Sequence, residues 1–170
     1  VMLRQGVRLS SVIVFAGMLS GCSQLSGAGA LVSLEDGSGM NCTPADPEGR
    51  AMIGFSHVAN QSADSLSIVD AKLVDAKGLE LIGLELRQPD DPNAHMVGYP
   101  YDDFGPSVLS EPIQVAAGEE RVVVVGLSNV SDQIGSAKGV QLIYQVAGDP
   151  RTRMMQTSYS LEVAPTGEVC

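Results

Sequence analysis

From Ala51 onward the apolar residues of this chain recur at every second position, and turn-forming residues break the pattern every eight to twelve positions. A period of two is the signature of strands with one face buried, and no stretch carries the 3.6-residue stripe of a helix. Ile53, Phe55 and His57 fall on one face of a first strand that closes at Asn60-Gln61-Ser62. Leu66 and Ile68 are followed by Ala71 and Leu73, and the change of parity at Val69-Asp70 predicts a bulge. Further strands are expected at Leu79 to Leu86, Ile113 to Val115 and Val122 to Val125. The last of these is β-branched throughout and reads as a central strand buried on both faces. Val140, Leu142, Tyr144 and Val146 alternate cleanly, Gly148-Asp149-Pro150 ends that strand, and Met155, Tyr159, Leu161 and Val163 share one parity in the last. The pattern predicts an all-β fold, an immunoglobulin-like antiparallel β-sandwich of about seven strands, with closure into a barrel as the alternative.

The N-terminal residues follow a different logic. Arg4 and Arg8 precede an apolar stretch from Leu9 to Leu19, which is the layout of an export signal. About a dozen residues is too short for a transmembrane helix, which needs roughly 20. The stretch closes on Leu19-Ser20-Gly21-Cys22, which resembles the lipobox of bacterial lipoproteins. That resemblance implies cleavage before Cys22, a diacylglycerol on its sulfur and a further acyl chain, such as palmitate, on its amino group. Two or more chains make a stable anchor where one is marginal. The expected address is the cell envelope, on the outer face of a bacterial membrane. An unlipidated secretory signal and a buried helix are the alternatives. The resulting division is a signal peptide over 1–21, a lipidated cysteine with a flexible linker over 22–50, and the sandwich over 51–170.

Lipidation of Cys22 leaves two of the three cysteines, Cys42 and Cys170, which in an oxidising compartment are expected to form a disulfide rather than remain as two thiols. Removal of residues 1–21 takes away Arg4 and Arg8, leaving 8 basic residues against 20 acidic ones, a net charge near −12. Such a surface excludes nucleic acid as a partner and disfavours anionic head groups. The expected partners are the membrane, through the lipid, and an envelope protein.

Between Arg87 and Pro112 the alternation stops for 26 residues, far beyond the usual connection within a compact domain. This loop holds five prolines, the acidic pairs Asp90-Asp91 and Asp102-Asp103, and the aromatics Tyr99, Tyr101 and Phe104. Aromatic rings gain most by burial, so the loop is expected to fold back on the sandwich or to meet a partner. Tyr99, Tyr101, Asp102, Asp103 and Phe104 are its candidate contact residues.

Catalytic and metal chemistry find less footing. No nucleophile elbow, zinc-protease helix or phosphate-binding glycine loop is present in the sequence, so a non-enzymatic module without a cofactor is expected. The acidic loop residues lack the spacing and central glycine of a calcium-binding hand. The order of features, with VANQSADSLSIVDAKLVD early and IQVAAGEERVVVVGLSN later, distantly resembles the periplasmic copper-chaperone sandwich. That resemblance implies soft or imidazole ligands, for which His95, Met96 and His57 are the candidates. Met52, Met154 and Met155 sit in strand patterns, where core packing accounts for them.

Overall fold

The computed structural model describes residues 29–35, 38–98 and 109–170. The lipobox at Cys22 and the candidate contact residues Tyr99, Tyr101, Asp102, Asp103 and Phe104 lie outside the described residues. Twelve strands are formed among the described residues: β1 (Leu31–Ser33), β2 (Met40–Pro44), β3 (Arg50–Asn60), β4 (Leu66–Leu73), β5 (Leu79–Arg87), β6 (Val97–Gly98), β7 (Ile113–Val115), β8 (Glu120–Asn129), β9 (Gly135–Ala137), β10 (Val140–Val146), β11 (Asp149–Gln156) and β12 (Ser160–Ala164). One sheet runs β1-β3-β8-β5, with β6 added to β3; a second runs β11-β10-β4-β7; a third, β2-β12-β9, packs against β3, β5 and β8 of the first. Residues from all three sheets meet in one core, among them Leu31, Ile53, Val123, Leu127, Leu142, Tyr144 and Leu161. The fold is an immunoglobulin-like β-sandwich, antiparallel throughout except where β2 runs parallel to β12.

Three expectations about strands need adjusting. The sandwich does not begin at Ala51, because β1 and β2 already belong to its sheets and Leu31 is buried in the core. Those strands are three and five residues long, too short for alternation to be read. His57 does not share a face with Ile53, because a bulge between Gly54 and Ser56 switches parity within β3. The last expected strand is two: β11 pairs with β10, then the chain turns at Thr157 and crosses to β12 in the third sheet. Thr157 fixes that turn by donating its backbone N–H to the Val140 carbonyl and accepting the Val140 N–H on its hydroxyl, each at 2.9 Å. The bulge expected at Val69-Asp70 is present, since Asp70 pairs with Ile143 while Ile68 pairs with Tyr144.

The two long central strands end in the same side-chain device. At the end of β3, Asn60 Oδ1 accepts hydrogen bonds from the backbone N–H and the hydroxyl of Ser62, while its Nδ2 donates to the carbonyls of Asp64, Val115 and Ala116. At the end of β8, Asn129 Oδ1 accepts from both groups of Ser131, and its Nδ2 donates to Gln133 and Val163. Because β3 and β8 are antiparallel neighbours, these clamps sit at opposite ends of the sandwich, each tying a turn to the facing sheet. The carboxyl end is tied as well, by a disulfide between Cys42 on β2 and Cys170, with Cα atoms 5.9 Å apart.

Breaking these ties gives graded effects. Asn60→Ala strands buried carbonyls and should lower stability by about 2–4 kcal/mol, whereas Ser62→Ala should cost less than about 1 kcal/mol. Loss of the disulfide in Cys170→Ser should cost up to about 4–5 kcal/mol by the chain-entropy argument for so long a loop. Urea unfolding at neutral pH reads all three, and an Asn60→Ala variant as stable as the parent would remove the clamp from this account.

Candidate functional site

The four valines of β8 are buried on both faces, and the two faces meet different partners. Val123 and Val125 point into the main core. Val122 and Val124 point the other way, into a small second core with Met52 and Ala94, against which Met96 packs. Ala94 and Met96 belong to the expected long loop, whose first half therefore folds back over the outer face of the β1-β3-β8-β5 sheet. Two successive turns shape this flap, through the N–H of Asp91 to Gln88 and the N–H of Ala94 to Asp91. Its far end is stitched to the sheet by the N–H of Gly54 to Met96 and by β6 pairing with Met52 and Ile53.

Gly54 makes that contact possible. A Cβ at this position would lie 2.2 Å from the carbonyl oxygen of Ala94, so only glycine lets the flap lie flush on β3. At its root the flap is held by charge: Arg87 pairs with Glu85 at 2.7 Å and approaches Asp91 at 4.0 Å.

Folding of the flap brings together two histidines that are 38 positions apart in the chain. The rings of His57 and His95 stack with centroids 5.1 Å apart and planes 19° apart. The Nδ1 of His57 donates to Glu120 at 2.7 Å, and its backbone N–H donates to Glu35. The Nε2 of His95 donates to the carbonyl of Pro89 at 3.1 Å, which places its proton on that nitrogen. Imidazole lone pairs lie in the ring plane, so nearly parallel stacked rings do not converge on a metal about 2.0–2.1 Å from each nitrogen. The three metal candidates thus come into one neighbourhood without forming a chelate, and among the described residues no group of three or more His, Cys, Asp or Glu could hold a metal ion. The sequence offered no signal for the pairing, because it depends on the loop crossing the sheet.

The turn that leads into β8 is the other charged feature here. Glu119 accepts the Ala116 N–H at 2.8 Å, and it is further bonded to Gln88 at the flap root and to Arg121. The Ala116 hydrogen bond, with help from Gln88 and Arg121, holds its carboxyl below the ordinary value of 4.5.

No protein-family model matches the chain, and no curated protein matches it. Among solved structures it is similar to VesB protease of Vibrio cholerae, at 11% identity and a TM-score of 0.39, over 79% of this chain and 32% of that one. It is similar to the ASH/PapD-like domain 7 of human CEP192, at 6% identity and a TM-score of 0.46, over 96% of this chain and all of that domain. A family 123 glycoside hydrolase from Clostridium perfringens gives 10% identity and a TM-score of 0.34, over 76% of this chain and 23% of that one. The chain spans about a third of the protease and less than a quarter of the glycosidase. Likenesses of this size carry no argument about activity.

Two outcomes test the site. Gly54→Val should lift the flap, speeding hydrogen exchange at the Gly54-position and β6 amides while costing about 1–3 kcal/mol in stability; unchanged exchange there would contradict the packing described. Because the folded value of Glu119 is lowered, its contribution is fully present above the ordinary carboxylate value and is lost as pH falls through the lowered one. Glu119→Gln should therefore be less stable than the parent at pH 7, with the gap closing on acidification, as read by denaturant titration at each pH.

Proposed function

We propose that the chain is an extracytoplasmic lipoprotein, anchored through Cys22 to the outer face of a bacterial membrane. Its sandwich serves as a non-enzymatic interaction or structural module of the cell envelope, with the loop from Arg87 to Pro112 as its contact surface. The observation that supports this reading most is the flap. Residues 88–98 are fixed by their own small core and by β6, so the stretch that follows, with Tyr99, Tyr101 and Phe104, starts from an ordered base. A fixed base lowers the entropy lost when a loop meets a partner.

The flap also decides how the reading is tested. Removing Asp91 to Val97 would uncover Met52, Val122 and Val124, so a deletion must spare them. Tyr101→Ala combined with Phe104→Ala should keep the circular dichroism spectrum and lose cross-linking to an envelope protein in cells; unchanged cross-linking would sink the contact surface. For the anchor, Cys22→Ser should abolish labelling by radioactive palmitate and release the protein from the membrane fraction. Persistent label would refute it.

A metal-delivery role for His57, His95 and Met96 is the second reading, favoured only by the nearness of the two rings. It requires the stack to open. Saturable heat on titration with Cu(I), lost in His57→Gln, would support it over the first.

A further inference from the structure

The chain enters the sandwich at a fixed point. A Cβ on Gly29 would lie 2.8 Å from the Tyr144 hydroxyl oxygen, the Ala30 carbonyl accepts the Gln61 N–H at 2.7 Å, and the Leu31 N–H donates to that same hydroxyl at 3.3 Å. Leu31 pairs with Asn60, the last residue of β3. Three turns gather around this point. Asn60 holds the turns that lead into β4 and β8, and the Ala147 N–H donates to Ser65, which brings in the turn between β10 and β11. Ala63, Ala117 and Gly148 at their tips are small and exposed, and the carboxylates Glu119 and Asp149 are paired with arginines.

Cys22 precedes Gly29 by seven residues. Even fully extended, seven residues span at most about 25 Å, whereas the linker expected over 22–50 would reach about 100 Å. β3 runs the length of the sandwich and measures about 35 Å over its eleven residues. The reach of the tether is therefore shorter than the body it holds. A polar domain surface does not enter hydrocarbon, so a bilayer excludes every orientation that points the far end inward. The attached end stays within reach of the head groups, and the Asn129 end stands on average farther out.

We propose that the Asn60 end is the membrane-facing surface of the domain, set against the lipid head groups, and that the flap carries the base of the contact loop away from them. Arg87 at the flap root is level with Val122 and His57, and Gly98 at its far end is level with Met52. The flap thus climbs about 15 Å along β3, from the Asn60 end toward the Asn129 end. A partner protein then meets the loop on the side away from the lipid. The proposal rests on the Cys22 anchor and adds which end of the sandwich meets the membrane.

The test is energy transfer from a fluorophore on the protein to an acceptor-labelled head group, with the full lipidated chain added to preformed phosphatidylcholine vesicles. The fluorophore sits on a single added cysteine, Ala117→Cys or Ala63→Cys at the Asn60 end and Gln133→Cys at the Asn129 end, all exposed turn positions. Transfer from positions 117 and 63 should exceed that from position 133 by at least about twofold, given the length of the body between them. Inserting about 20 glycine and serine residues after Ser26 adds up to about 70 Å of reach and should shrink that difference by at least about half. An unchanged circular dichroism spectrum confirms that the variants fold. A vesicle-bound chain with equal transfer from both ends, or with more from position 133, overturns the orientation, and so does a difference unmoved by the insertion. A chain that takes no palmitate at Cys22 and stays off the vesicles overturns the anchor and the orientation together, so the two failures are distinguishable.

Discussion

The burial of β8 on both faces is the constraint on which the rest of this structure depends. A strand of a two-layer sandwich ordinarily shows one face to water, and Val122 and Val124 would then be a hydrophobic error. The flap resolves it. By laying Ala94 and Met96 over those valines it turns an open sheet into a local third layer, and it fixes where the following loop begins. Gly54 is the geometric condition for that layer, and Arg87 with Asp91 its electrostatic root.

β3, the neighbour of β8, is closed on its other side by short partners. β3 has its outer edge covered in pieces, by β1 over Val58 to Asn60 and by β6 over Met52 and Ile53. An unpaired central edge would invite pairing with another chain. Here β1 and the flap share that edge, so the first strand of the sandwich and the base of the expected contact loop both end on β3.

The sequence disclosed what depends on period and composition. Clean alternation in β10, the parity change at Val69 and the valine run all carry over into the structure, because each reflects a face buried along a regular strand. The Cys42–Cys170 bridge was reached by counting. What stayed hidden depends on contacts distant in the chain. β1, β2 and β9 are too short to show a period, the Gly54 bulge moves His57 to the other face, and the stack of His57 on His95 exists only once the flap has crossed the sheet. The loop was visible as an interruption; that half of it is sheet-bound was not.

The paired asparagine clamps carry a practical consequence. Asn60-Gln61-Ser62 and Asn129-Val130-Ser131 both have the form of an acceptor for N-linked glycans. In a host that glycosylates during export, a sugar would be joined to the same Nδ2 that at Asn60 is fully buried and donates to three carbonyls. A bulky group there is incompatible with the turn it must close. The clamp that finishes β3 therefore ties the fold to production without glycosylation: a eukaryotic secretory route would modify an amide that the sandwich needs bare.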